Sequence, residues 1–183
     1  KRPEEKIKTQ KDLRQSLVKE FYNGMLGARF DELRQAPNPP FQVASSGFGG
    51  FIRGKSAYSM FGITSAERIK ETLTALLNEN KRVKDFGFTS AELERQKQRY
   101  LSNLENSYKE RDKTQSNFVV GRYVSGFLND DIVPGIEFSY EFGKAVAPTI
   151  NLDEINALSK NAATDENRVI VITGLDDPKV QYP

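Results

Sequence analysis

Residues 21–33 read FYNGMLGARFDEL and form the centre of the first clear helical pattern in the chain. Their apolar side chains continue a stripe that starts at Leu13 and recurs with the period of an α-helix, which predicts one broad apolar face. Pro37, Pro39 and Pro40 end this helix, because proline lacks a backbone N–H and biases the preceding residue away from helical torsion angles. The pattern predicts a long first helix.

A β-like region follows the prolines, over residues 41–64, and is rich in Phe, Tyr, Val, Ile, Ser and Gly. Gly54-Lys55-Ser56 is a typical turn between two strands, so we expect a hairpin of about residues 42–53 and 57–64. The glycines within residues 47–50 predict a bulge or a crowded backbone in the first of these strands.

Three later segments have the form of a capping box. In this motif a polar side chain at the helix N-terminus and an acidic residue three positions later bond each other's backbone N–H groups. The three segments begin at Thr64, Thr89 and Asn151. A further amphipathic segment covers residues 118–128, and a short helix is predicted over about residues 136–146. The middle of the chain is therefore predicted to be helical.

The segment Arg168–Thr173 contains four consecutive aliphatic residues, Val169 to Ile172, and predicts a buried strand that Gly174 closes. The order of elements is then a helix, two strands, four helices and a last strand. Because strands and helices do not alternate, this order favours an α+β, two-layer α/β sandwich over a doubly wound fold. We expect a small mixed or antiparallel sheet of about three strands, covered by helices.

The composition excludes several classes of function. The 183 residues include no histidine and no cysteine, so the chain by itself holds neither a Ser-His-Asp or Cys-His catalytic system nor a histidine-based zinc site. A net charge of +2, from 27 basic and 25 acidic residues, predicts no nucleic-acid partner. No run approaches the roughly 18 apolar residues of a membrane span.

Other patterns that could carry chemistry have simpler interpretations. Paired carboxylates occur at Glu4-Glu5, Asp130-Asp131 and Asp176-Asp177, in loop-like or terminal sequence where adjacent acids are usually solvated turn formers. The glycine-rich residues 47–50 lead into another strand, whereas a phosphate-binding loop leads into a helix N-terminus. None of these patterns predicts a catalytic or metal role.

Three stretches together resemble a known family. They are residues 21–33 followed by Pro39-Pro40-Phe41, then residues 86–94 (FGFTSAELE), then residues 150–155 (INLDEI). Their order and spacing are similar to the second domain of bacterial insulinase/pitrilysin-type zinc peptidases. The resemblance extends roughly from Leu13 to Val180, and none of its motifs is catalytic.

The resemblance implies that residues 1–180 are a single non-catalytic peptidase-family domain and that residues 181–183 start a linker. In this family the zinc site is an inverted H-x-x-E-H motif in the preceding domain. Zinc is therefore expected in the parent protein and no cofactor in this chain. The implied role is to wall a chamber around peptide substrates, with sister peptidase domains as partners, in the bacterial periplasm or cell envelope, or alternatively in the cytoplasm.

Two alternatives stay open at this point. The parent could be a catalytically inactive family member that serves as a binding or assembly protein, which the absence of H-x-x-E-H upstream would indicate. The chain could also be an unrelated helical interaction module, which a structure without a hairpin under helices would indicate.

Two residues match recurrent positions of the family, Arg29 and Glu32. The resemblance suggests for them a contact with substrate or another domain, and the simpler interpretation is an ion pair that locks the helix end to the hairpin. The family domain also has a strand before its first helix, which this chain is expected to lack. An exposed sheet edge would then favour self-association.

Overall fold

The computed structural model describes residues 2–3, 5–52, 54–162, 164 and 167–174. Its first helix, α1, spans Gln10–Arg34. Thr9 caps it: the backbone N–H of Asp12 donates to the Thr9 hydroxyl, and the Asp12 carboxylate accepts from the backbone N–H of Thr9. The apolar stripe predicted from the sequence is the buried face of α1. Its buried residues are Leu17, Val18, Phe21, Tyr22, Met25, Leu26 and Phe30.

The sheet is antiparallel and has the order β1-β3-β2. Its two long strands are β2, Val43–Ile52, and β3, Lys55–Ile63, which form the predicted hairpin with Gly54 at φ +77° in the turn. The register shifts between Gly50 and Ile52, close to the predicted bulge. The third strand, β1, is the two-residue Arg2–Pro3, and it pairs with the start of β3.

Five further helices follow the hairpin in the described residues, joined in part by single turns of 3₁₀ helix. They are α2 Ile69–Phe86, α3 Ser90–Lys109, α4 Ser116–Asn129, α5 Ile136–Val146 and α6 Leu152–Ala162, and the 3₁₀ turns are Ala66–Arg68, Arg111–Lys113 and Ala147–Thr149. None of the helices in the described residues is long and apolar enough to cross a lipid bilayer.

The core lies where α1 crosses the inner face of the hairpin. The fully buried ring of Tyr22 meets the rings of Phe48, Tyr58 and Phe88 edge-on, with centroids 5.4–5.9 Å apart. Such T-shaped pairs stabilise a core beyond the area that they bury. One side chain of α1 therefore joins β2, β3 and the start of α3.

The last helix closes the domain against its first. Arg14 of α1 forms an ion pair with Glu154 of α6. Asn156, also on α6, accepts a hydrogen bond from the backbone N–H of Phe88 at 2.8 Å and lies against Gly87, which has φ +71°. A side chain at position 87 would be strained by this φ and would meet Asn156. Helix α6 thus holds the corner between α2 and α3.

Two of the three predicted capping boxes are present. Thr89 and Glu92 cap α3, and Asn151 and Glu154 exchange the equivalent bonds at the start of α6. The prediction at Thr64 is wrong, because the chain first makes a 3₁₀ turn that begins after Ser65, and α2 then starts without a side-chain cap.

The α+β class and the small antiparallel sheet agree with the prediction, but the third strand is a different one. Arg168–Thr173 was expected to be a buried strand, yet these residues have no regular structure, and Val169 and Val171 are each 76% exposed. A strand needs hydrogen-bonding partners on a neighbouring strand, and this segment is separated from β3 by a groove. A strand before α1 was expected to be missing, yet Arg2–Pro3 forms a short one that pairs with β3.

Candidate functional site

The side chain of Arg29 lies at the centre of a buried charge cluster. Its Nη1 donates to Oε1 of Glu79 at 3.0 Å, its Nε to Oε1 of Glu92 at 2.6 Å, and its Nη2 to Oε2 of Glu92 at 3.1 Å. Nη2 also donates to the carbonyl of Gly87 at 3.0 Å, and the guanidinium lies 4.8 Å from the centroid of the Phe88 ring. All three charged side chains are largely removed from solvent.

Local structure places these groups together. Glu92 is the third residue of α3, where its carboxylate accepts a 2.7 Å hydrogen bond from the backbone N–H of Thr89 while it also receives Arg29. Glu79 comes from the middle of α2, and the turn at Gly87 aims its carbonyl at the same guanidinium. The cluster therefore ties α1 to α2, α3 and the corner between them.

The electrostatics of the cluster favour the charged states. Burial by itself raises the pKa of Glu92, but hydrogen bonds from Arg29 and Thr89 and the charge of Arg29 outweigh it and lower this pKa to about 2. Burial lowers the pKa of Arg29, but hydrogen bonds to Glu92 and Glu79 more than offset it, so that the pKa is raised. Such a fully paired cation fits a structural role.

The two residues singled out in the sequence have different surroundings. Arg29 locks α1 to α2 and α3 rather than to the hairpin, and its partners are Glu79 and Glu92, not Glu32. Glu32 is exposed, on the wall of a shallow pocket of about 260 Å³ that Arg95 also lines. A contact of Arg29 or Glu32 with a substrate or another domain stays a prediction.

A much larger concavity was not foreseen from the sequence. It has a volume of about 1950 Å³ and lies between β3, the first half of α1, the start of α2 and residues 167–174. Phe61 and Ile63 of β3 line it and are exposed, and Lys11 and Lys19 of α1 add charge. Beyond Ser56, no strand in the described residues pairs with the edge of β3 that faces away from β2. An apolar wall beside unpaired strand edge is suited to hold extended polypeptide.

The chemistry of the side chains does not fit a zinc centre. Among the described residues no group of three or more histidine, cysteine, aspartate and glutamate side chains is arranged to hold a metal ion, and the sequence has no histidine or cysteine. Of the carboxylate pairs, Asp130 binds Lys8 and Asp131 accepts from the backbone of Ile7. Glu4 and Asp176-Asp177 lie outside the described residues.

Comparison with known proteins places the fold among proteases. The chain is 25% identical over 170 residues to a protein of Arabidopsis thaliana named "Zinc protease PQQL-like". The first half of the periplasmic protease PqqL from Escherichia coli superposes with a TM-score of 0.77 at 15% identity over 87% of this chain. A predicted insulinase family protease from Yersinia pestis gives 0.76 at 13% identity over 93%. No protein-family model matches the chain.

The similarity concerns a part of each relative. The chain spans 15% of the Arabidopsis protein, 34% of the E. coli structure and 39% of the Yersinia structure. The comparisons confirm the resemblance to insulinase-type metallopeptidases and the fold class predicted from the sequence. The alternative of an unrelated helical interaction module is contradicted by the structure, because a hairpin packs under helices.

Proposed function

We propose that this chain is a non-catalytic domain of a zinc-dependent metalloendopeptidase, in which it forms part of the wall of a chamber that encloses peptide substrates. The observation that carries the proposal is the shared fold with insulinase-type proteases in a chain whose sequence contains no histidine or cysteine. Zinc would then be held by another domain of the parent protein. Residues 1–180 form the domain in this proposal, and residues 181–183 lead towards the next one.

The open groove supports this role. It is concave, it combines apolar side chains of β3 and α2 with charged residues of α1, and it is large enough for several residues of extended peptide. Main-chain hydrogen bonding to a strand edge depends little on the peptide's sequence, which suits a surface that meets varied peptides. Sister domains and peptides are accordingly the proposed partners.

A comparison of the parent protein with this chain tests the proposal. After chelation, reconstitution with zinc and dialysis, we expect about one zinc per parent chain by elemental analysis and none on the isolated 183 residues. The parent is expected to cleave a peptide library and the isolated chain to leave it intact. Stoichiometric zinc or reproducible cleavage in the isolated chain would refute the assignment. A parent without zinc or cleavage would instead favour the inactive binding or assembly protein.

We also propose that the parent works in the bacterial periplasm or cell envelope. The support is that the E. coli relative is called a periplasmic protease. Fractionation of cells that produce the tagged parent should recover it with periplasmic marker enzymes, and recovery with cytoplasmic markers alone would contradict this location.

A further inference from the structure

Helix α4 presents its apolar side chains to solvent. Between Ser116 and Asn129 only Gly126 is buried, while Phe127 is 86% exposed and Leu128 71%. Four further apolar residues of the helix are also more than half exposed. They are Phe118, Val120, Tyr123 and Val124. Contiguous exposed apolar surface of this kind marks interaction sites in folded proteins.

The orientation of α4 is fixed by specific contacts. The side chain of Val133 packs directly on Gly126, and Arg122 donates to the carbonyl of Pro134 at 2.7 Å. Ile7 and Asp131 cross-link the end of the helix to the N-terminal segment. With about 100° per residue, Gly126 and Arg122 lie on one half of the helix. The other half carries the apolar face, which we define as Val120, Tyr123, Val124, Phe127 and Leu128.

The helix is therefore the reverse of an ordinary surface helix, which turns its apolar stripe to the core and its polar side to water. Its Gly and Arg side contacts Val133 and Pro134 of the loop that follows it, and its apolar face has no cover in the described part of the chain. We propose that another domain of the parent polypeptide packs on the apolar face of α4. This inference rests on the proposed function, because it takes the chain to be one domain of a longer protein.

The chemistry of the face favours an apolar protein surface over other partners. Arg122 is the only charged residue of α4, and its guanidinium donates to the carbonyl of Pro134 on the side away from the apolar face. Helices that lie on membranes carry several lysines or arginines beside their apolar face. Charged residues appear only beyond the two ends of α4, at Lys113 and Asp130. An apolar centre with a charged rim is the usual anatomy of a protein interface.

Size favours a tethered domain over a second copy of the chain. The apolar face is a single stripe of five residues along one helix about 21 Å long. A stable interface between free proteins takes roughly 20–30 residues and about 800 Å² from each partner. A domain in the same polypeptide needs less, because the tether supplies a millimolar effective concentration. The chain spans 34% of the E. coli structure with the same fold, which leaves ample polypeptide for such a domain.

Thiol labelling tests this assignment directly. The chain has no cysteine, so Phe127→Cys introduces a single thiol into it. Phe86→Cys, at the end of α2, is the matched control, because Phe86 is 84% exposed and Phe127 is 86% exposed. The rate of modification by N-ethylmaleimide is read at the relevant tryptic peptide by mass spectrometry, in the isolated chain and in the parent.

We expect equal rates for both variants in the isolated chain. In the parent, at a concentration where light scattering gives a monomer, we expect Phe127→Cys to react at least tenfold more slowly and Phe86→Cys to react as before. Val120→Cys replaces Phe127→Cys if that variant does not fold. The proposal would be overturned if both variants react at equal rates in the parent, or if both are slowed equally there. It would also be overturned if Phe127→Cys reacts more slowly only in the concentrated isolated chain, or only when lipid vesicles are present. The readout does not involve zinc or cleavage, so it is independent of the test of the proposed function.

Discussion

Arg29 joins three helices through one buried guanidinium. Replacing it with methionine keeps most of the volume but leaves the buried carboxylate of Glu92 without its cation and that of Glu79 with only Arg82, 3.6 Å away. Removing one partner of a buried ion pair typically costs 3–5 kcal/mol, so we expect the free energy of unfolding to fall by about that amount. Urea denaturation followed by circular dichroism measures the change.

Arg34→Met is the control for this prediction, because Arg34 forms an exposed ion pair with Asp31 on the same helix. Exposed pairs contribute about 0–1 kcal/mol. Similar stabilities for Arg29→Met and Arg34→Met would show that Arg29 does not hold the helices together. That result would favour the predicted contact of Arg29 with a substrate or another domain.

Glu92 gives the domain a predictable response to acid. Its pKa in the folded state, about 2, lies below the value of 4.5 that it has when unperturbed. A lowered pKa in the folded state means that the stabilisation is complete above about pH 4.5 and is lost as the pH falls towards 2. The free energy of unfolding should therefore decrease over this interval, and Glu92→Gln should make the decrease shallower.

The matched control is Glu94→Gln, two positions along the same helix, where the carboxylate is exposed and pairs only with Lys97. Urea titrations at several pH values between 2 and 6 should give this variant the wild-type slope. If Glu92→Gln also keeps the wild-type slope, Glu92 does not contribute to the acid sensitivity.

Among the elements, α3 provides a test of local capping. Thr89→Ala removes the hydroxyl that accepts from the backbone N–H of Glu92 at 3.3 Å, so we expect a loss of about 1 kcal/mol in the free energy of unfolding. Thr64→Ala changes the same residue type in a segment that resembles a capping box in sequence but caps no helix. It should cost less than about 0.5 kcal/mol. Equal losses would mean that the hydroxyl of Thr89 is not a cap.

The helix starts show what a sequence reveals and what it does not. A capping box is local chemistry, so the start at Thr89 could be predicted from four residues. The start of α2 could not, because a 3₁₀ turn is inserted after Ser65 and α2 begins only at Ile69. Residues 118–128 were recognised as an amphipathic segment, yet the side that α4 turns to the following loop is set by the contact of Gly126 with Val133, which no periodicity contains.

Contacts between residues that are far apart in the sequence also limit what can be predicted about the charge cluster and the last strand. Arg29 could be singled out, but its partners Glu79 and Glu92 lie 50 and 63 positions away and came from the fold. Arg168–Thr173 has the composition of a strand but does not form one. Composition does not show whether the edge of a neighbouring strand is close enough to pair with. The groove was missed for the same reason.

At the scale of the whole molecule, the incomplete sheet predicts self-association. From Ala57 to Ile63, β3 has an edge that no strand of the described residues covers, and such edges pair readily with other chains. We expect the apparent mass of the isolated chain to rise with concentration in multi-angle light scattering. Ser59→Lys, on the exposed face of β3, should weaken the effect, since charged residues on an edge oppose pairing.

Glu67→Lys, in the 3₁₀ turn beyond β3, adds a lysine outside the strand and serves as the control. It should leave the concentration dependence unchanged. A strictly monomeric wild-type chain at high concentration would contradict the prediction.

The closure of α6 on α1 has a consequence for synthesis. Arg14 and Glu154 are 140 positions apart, and Asn156 reaches back 68 positions to Phe88. With translation at about 5–20 residues per second, α1 waits roughly ten seconds or more for the helix that completes its surroundings. During that interval the hairpin can already cover much of the apolar face of α1, but the surface around Arg14 that α6 covers stays exposed. This domain therefore finishes folding only when its last helix has left the ribosome, and until then it is a natural client for chaperones that bind nascent chains.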